Sequence, residues 1–118
     1  MHETVWTVDK KDYEVGVVFA DQFHSTLGNT LSIANKHLDF IALVDVNGGK
    51  CSLRSVHTRL HLGEIAKAIA NGGGHRMAAG FRFKNADIIP QLERTLKVRS
   101  TQFVKREIIR EFKEKRIS

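Results

Sequence analysis

The sequence predicts a mixed α/β domain: a sheet of about five strands with helices packed on it, and a basic helix at the C-terminal end. Three observations lead there. The chain has 118 residues, room for one domain and not for two. Its apolar fraction is 42% and its charged fraction 27%, which is ordinary for a globular protein and wrong for a disordered one. Along the chain, near-continuous apolar runs alternate with segments of helical spacing.

The elements follow in order. Val5 to Val8 is short and rich in β-formers, and reads as an edge strand. The polar turn Asp9–Asp12 leads into Val15-Gly16-Val17-Val18-Phe19-Ala20, the pattern of a strand covered on both faces. Asp21 to Asn35 shifts to helical spacing, with Leu27, Leu31 and Ala34 on one side and Ser25 available as a cap. Phe40 to Val46 is a second buried-type strand. Asn47-Gly48-Gly49 signals a hairpin, so Lys50 to Val56 returns antiparallel to it. That strand places Cys51, Leu53 and Ser55 on one face and Ser52 and Arg54 on the other.

Leu62 to Ala70 carries an apolar stripe of Ile65, Ala66, Ile69 and Ala70, and Asn71-Gly72 suits a left-handed helix end. Ala79 to Phe83 is a further strand. A helix is expected through Ile88, Ile89, Leu92 and Leu96, with Pro90 in its first turn, and a last helix over 98–116. Residues 1–96 form the domain and 97–118 a basic helical extension.

Charge divides the same way. Residues 97–118 hold eight Lys/Arg and three Glu, while residues 1–96 are nearly balanced. The overall charge of +6 favours a polyanionic partner, nucleic acid first. No stretch approaches the roughly 20 apolar residues of a membrane helix, and no secretory leader pattern is present. One cysteine, Cys51, leaves no intrachain disulfide and suits a reducing compartment. The expectation is a cytoplasmic protein or a piece of one.

The strongest local feature is Asn71-Gly72-Gly73-Gly74-His75-Arg76-Met77-Ala78-Ala79-Gly80. Three successive glycines are costly to order. They suit a place where a ligand approaches the main chain, and their N–H groups can cup an anion. His75 adds a titratable donor and Arg76 fixed charge. The plain alternative is a glycine-rich turn between helix and strand. The second feature is Ser52-Leu53-Arg54-Ser55. A guanidinium grips a phosphate through two parallel hydrogen bonds, and a hydroxyl beside it adds a third. Here the alternative is an ordinary exposed strand face. Cys51, His57, His61 and His75 include a His-x-x-x-His pair, but Cys51 faces away from Arg54 and no second cysteine exists, so no metal is assigned to this chain. Asp21, Asp39 and Asp45 fall near strand ends without a motif to gather them.

Together, Gly72-Gly73-Gly74-His75, Ala78-Ala79-Gly80 and the Ser-x-Arg-Ser strand upstream resemble the DHH-associated domain of the DHH phosphoesterase superfamily. Its members include RecJ-type exonucleases, oligoribonucleases and cyclic-dinucleotide phosphodiesterases. The likeness runs from about Val15 to Leu96 and includes Thr26-Leu27-Gly28-Asn29. Asn71 stands where many relatives have a fourth glycine, and it tolerates the same backbone region.

The resemblance implies a substrate-holding domain beside a separate DHH domain that carries manganese or magnesium for two-metal hydrolysis. It implies that Ser52, Arg54 and Ser55 bind a substrate phosphate, with Gly72, Gly73, Gly74 and Arg76 lining the site. His75 would act as the catalytic donor towards the phosphate. The substrate expected is short single-stranded RNA or DNA, or a dinucleotide, and a homodimer stays open as an assembly. No Asp-His-His occurs in the sequence, so the chain alone is expected to be inactive. The competing readings are a stand-alone nucleic-acid-binding module and an interaction domain docking through its last helix.

Overall fold

The computed structural model describes residues 1–20, 25–45 and 48–82. They form a six-stranded mixed sheet with two helices. The strands are β1 (His2–Val8), β2 (Lys11–Phe19), β3 (Phe40–Asp45), β4 (Lys50–Arg54), β5 (Gly73–Gly74) and β6 (Ala78–Arg82). Helix α1 (Ser25–Ala34) lies between β2 and β3, and α2 (Leu62–Ala70) between β4 and β5. The spatial order is β1-β2-β3-β4-β6-β5. Only β2 and β3 run parallel, and α1 is their crossover. The helices expected around Leu92 and over 98–116 lie outside the described residues.

The two helices cover opposite faces. Alternation along each strand sends one set of side chains to α2: Val15, Val17, Phe40, Ala42, Cys51, Leu53 and Phe81 join Leu62, Ile65, Ala66 and Ile69 in the larger core. The other set, Ile41 and Leu43 with Leu38, meets Leu27 and Leu31 of α1. All six residues of β3 are buried, because β3 is covered on both sides. Phe40, Ile41, Leu43, Leu53 and Leu62 are among the fully buried large side chains, each worth roughly 1.5–3 kcal/mol of transfer free energy. Trp6 stacks edge-on to Phe40, with centroids 5.9 Å apart.

Local chemistry fixes the ends of the elements. His61 caps α2, its Nδ1 accepting from the Glu64 N–H at 3.2 Å. Asn71 ends the helix at φ 55° and ψ 30°, the left-handed conformation that asparagine tolerates. After β3, Asp45 Oδ1 accepts from the Gly48 N–H at 2.9 Å, and Gly49 takes φ 65° to turn the chain into β4.

Candidate functional site

The register of the sheet decides which residues share a face. Leu43, Ser52, Gly80 and Gly73 form one cross-strand row, and Ile41, Arg54 and Ala78 the next. Ser52 and Arg54 therefore stand together on the α1 side of the sheet. Beyond β4 that face carries Ala78 and Gly80 of β6 and Gly73 of β5 next to Ser52 and Arg54, with Arg82 farther along opposite Lys50. Small residues make a low shelf beside the arginine.

Three arginines gather at this end of the sheet, and the fold treats them differently. Arg59 pairs through NH2 with Asp39 Oδ1. Arg76 braces the preceding loop, its NH1 donating to Thr58 O at 3.2 Å and Leu60 O at 3.3 Å. Half-buried Arg54 donates from NH1 to its neighbour's carbonyl, Leu53 O, at 2.9 Å. Among the described residues no carboxylate faces it. Of these three, Arg54 is the one left with only its neighbour's carbonyl as acceptor, and it stands beside a floor of small residues.

The glycine run has two separate physical reasons. A Cβ on Gly72 would lie 2.3 Å from Gly80 O, and one on Gly74 2.6 Å from Ala79 Cα. Both glycines therefore let β5 lie against β6. Gly74 also takes φ 141°, which other residues reach only with strain. Among the described residues a Cβ on Gly73 would meet nothing within 4 Å. Of the three, Gly73 alone faces open space, in the row of Ser52.

The backbone around the run is largely committed within the fold. Gly72 N–H donates to Ala66 O at 3.1 Å and His75 N–H to Ala78 O at 2.8 Å. The carbonyls of His75 and Arg76 accept from Gly63 N at 3.1 Å and Leu62 N at 2.8 Å. They thereby occupy the first donors of α2, and an anion finds no open helix end there. What remains exposed is the Gly73–Gly74 strand at the edge of the sheet and the His75 ring, which makes no hydrogen bond among the described residues.

Two of the expected site residues are engaged elsewhere. Ser55 is buried on the α2 side, where its hydroxyl donates to Asp39 O at 2.6 Å and accepts from His57 N at 3.0 Å. Arg76 is the brace described above. The structure thus brings Ser52, Arg54, Gly73 and His75 to the surface near one another in the sheet, and turns Ser55 inward. Sequence reasoning gave no role to Asp39 or Gly63. Asp39 accepts from Glu14 N at 2.6 Å while holding Arg59, so it ties β2 to the loop beneath the site. Gly63 is the seat of the glycine strand: a Cβ there would stand 2.5 Å from Gly74 O. A glycine in the first turn of a helix was the available signal.

The resemblance places the two-metal centre in a separate DHH domain, and the described residues of this chain do not form one of their own. Among the described residues no three His, Cys, Asp or Glu side chains gather in a way that would hold a metal ion. His57 Nε2 faces two carbonyls, Lys36 O at 2.8 Å and Leu38 O at 3.0 Å. Carbonyls only accept, so that nitrogen carries a proton. His61 Nδ1 is spent on its cap. Cys51 is buried on the α2 face, and desolvation drives its thiol pKa well up. Trp6 and Phe81 are core residues and offer no stacking platform.

Comparison with known proteins adds three findings. The family model "DHHA1 domain" matches residues 10–105. Oligoribonuclease NrnB of Bacillus subtilis (strain 168) is 44% identical over 66 residues, which is 56% of this chain and 16% of that protein. The crystal structure of an uncharacterized protein from Helicobacter pylori G27 superposes with a TM-score of 0.58 and 28% identity, over 77% of this chain and 27% of that one. The chain thus spans only a minor part of the length of either.

Proposed function

From the premise that the chain belongs to the DHHA1 domain family, we infer that it is the substrate-holding part of a phosphodiesterase or exonuclease acting on short single-stranded nucleic acid or a dinucleotide. The observation that carries this reading is Arg54. It is a guanidinium with no carboxylate facing it among the described residues, set beside Ser52 on a shelf of Ala78, Gly80 and Gly73.

Such a guanidinium gains most from an anion that offers two oxygens to its paired N–H groups, and a phosphate offers that geometry. Ser52 supplies a hydroxyl in the adjacent row. Bare Gly73 lets the nucleotide lie close to the main chain. His75 stands at the rim of the shelf, where a ring N–H donates to a non-bridging oxygen as negative charge develops on it. Water activation belongs to manganese or magnesium in a separate DHH domain. This chain's residues bind, orient and neutralise. The likeness to an oligoribonuclease favours RNA of a few residues as the substrate.

The test is a titration of the chain with a labelled di- or trinucleotide, with and without manganese, following binding and cleavage together. Binding without metal and without cleavage is expected. Arg54→Ala weakens it by about 1.5–3 kcal/mol, the cost of losing a hydrogen bond to a charged group. Unchanged affinity in Arg54→Ala overturns the phosphate role. The basic segment 97–118 supports one other reading, a nucleic-acid-binding module without catalysis. That reading takes over if the parent protein binds RNA but never cleaves it.

A further inference from the structure

Glycine inside a helix costs about 1 kcal/mol relative to alanine, so a helical glycine calls for a reason. Gly28 lies within α1 (Ser25–Ala34) and is buried. Backbone conformation does not require it, because the positive-φ glycines among the described residues are Gly49 and Gly74. Its surroundings do. A Cβ on Gly28 would stand 2.6 Å from Arg54 Cγ, 3.1 Å from Leu43 Cδ1 and 3.3 Å from Arg54 Cβ. The first distance is shorter than any real contact, and the obstacle is the root of the arginine stem rather than its mobile tip. The α1 backbone therefore lies directly against the first methylenes of Arg54.

We propose that Gly28 is a positioning residue for Arg54. The gap left by its missing side chain forms a channel between α1 and β4 (Lys50–Arg54). The arginine stem lies in that channel, and its walls set the direction in which the guanidinium leaves the sheet. Leu43, in the row next to Arg54, forms the floor. Ser32 Oγ donates to Gly28 O at 2.8 Å within α1. Filling the gap with one methyl group expels the stem sideways, although the guanidinium keeps its charge and its solvent access. The proposal rests on the phosphate role of Arg54, and the experiment separates the two.

Four chains are compared: wild type, Gly28→Ala, Arg54→Ala and the double variant. Each is titrated with the same labelled trinucleotide and melted by circular dichroism. Gly28→Ala is expected to keep a cooperative melt and to bind about tenfold more weakly, because misdirecting a rigid donor costs most of its hydrogen bonds. In the Arg54→Ala background the same change alters affinity no further, since the stem it would displace is gone. Thr30→Ala, an exposed α1 change with a similar gain in helix propensity, leaves affinity alone. Wild-type affinity in Gly28→Ala, or an equal loss in both backgrounds, overturns the proposal. If Gly28→Ala does not fold, the double variant decides: refolding there convicts the Arg54 stem, and failure there points to Leu43 and refutes the assignment. Arg54→Ala alone binding like wild type would refute the underlying phosphate role instead.

Discussion

Gly73→Ala and Gly74→Ala each add one methyl group at neighbouring positions, with opposite expected effects. At Gly74 the new Cβ would meet Ala79 Cα at 2.6 Å and Ala78 O at 2.7 Å, from a backbone at φ 141°. Strain at such a conformation costs about 1–3 kcal/mol. Overpacking against β6 costs roughly 1–3 kcal/mol more. The sum, about 2–6 kcal/mol, is a large share of a typical domain's 5–15 kcal/mol. At Gly73 the new Cβ would meet nothing within 4 Å among the described residues. Restricting the unfolded chain there gains about 0.4–1 kcal/mol, so Gly73→Ala is expected to be as stable as wild type or slightly more so. Its methyl group nevertheless rises from the shelf in the row of Ser52, across Gly80 from it, where the nucleotide is to lie. Urea unfolding and oligoribonucleotide titration on both variants separate these effects. Gly73→Ala should melt normally and bind poorly. Gly74→Ala should unfold at much lower urea. A Gly73→Ala variant that binds like wild type would refute the account of this glycine as a ligand surface. A Gly74→Ala variant of wild-type stability would refute the steric argument itself.

Other expectations are quickly checked. Ser55→Ala removes the partner of both Asp39 O and His57 N; it should cost about 1–3 kcal/mol in urea unfolding while leaving nucleotide affinity in the folded fraction unchanged. Cys51 should resist alkylation until the chain unfolds, so its modification rate at neutral pH should track global unfolding. Burial raises the Cys51 thiol above its ordinary value of 9.0, so the unfolded chain releases this proton first. Its contribution to stability is complete below about pH 9 and falls above that by up to about 1.4 kcal/mol per pH unit. Tyr13, raised by desolvation and then by Asp39 and Asp9, adds to the same alkaline loss, and a pH series of urea midpoints should show no such fall in neutral solution. Replacing Lys and Arg by Gln within 97–118 should flatten the salt dependence of oligonucleotide binding if that segment meets phosphates; an unchanged slope would deny it the contact.

The parts of the fold legible in the sequence are those whose signal is local. Helix α2 was readable over Leu62–Ala70 because its apolar stripe and its Asn71 end are both written in neighbouring residues. Strand β3 was readable because a run buried on both faces has no polar position to hide it. Strand β5 was not, since two glycines carry no β-forming side chain. It exists because β6 offers a ladder to pair with. The placement of β6 beside β4 is likewise a long-range pairing with no local trace. Within the site, alternation correctly put Ser52 and Arg54 on one face. The same alternation put Ser55 with Cys51 and Leu53, the core side. The resemblance assigned Ser55 to phosphate all the same, and its burial follows the alternation.

Arg54, Arg59 and Arg76 show why composition alone could not find the site. All three bring the same charge to the same end of the sheet, and a count of basic residues ranks them equally. What separates them is the acceptor already supplied by the fold: a carboxylate for Arg59, two loop carbonyls for Arg76, one adjacent carbonyl for Arg54. An arginine held in place by such acceptors gains less from a phosphate, because turning to it breaks the bonds it already makes. The different fates of the three side chains also make the charge reading testable. Arg59→Ala opens an exposed ion pair and should cost about 0–1 kcal/mol of stability, with little effect on nucleotide affinity. Arg76→Ala should loosen the 58–60 loop and affect the site only through it. Arg54→Ala should spare the fold and abolish most of the affinity. If the three variants instead weakened binding equally, the domain would be holding its ligand by net charge, and the shelf beside Arg54 would have no special standing.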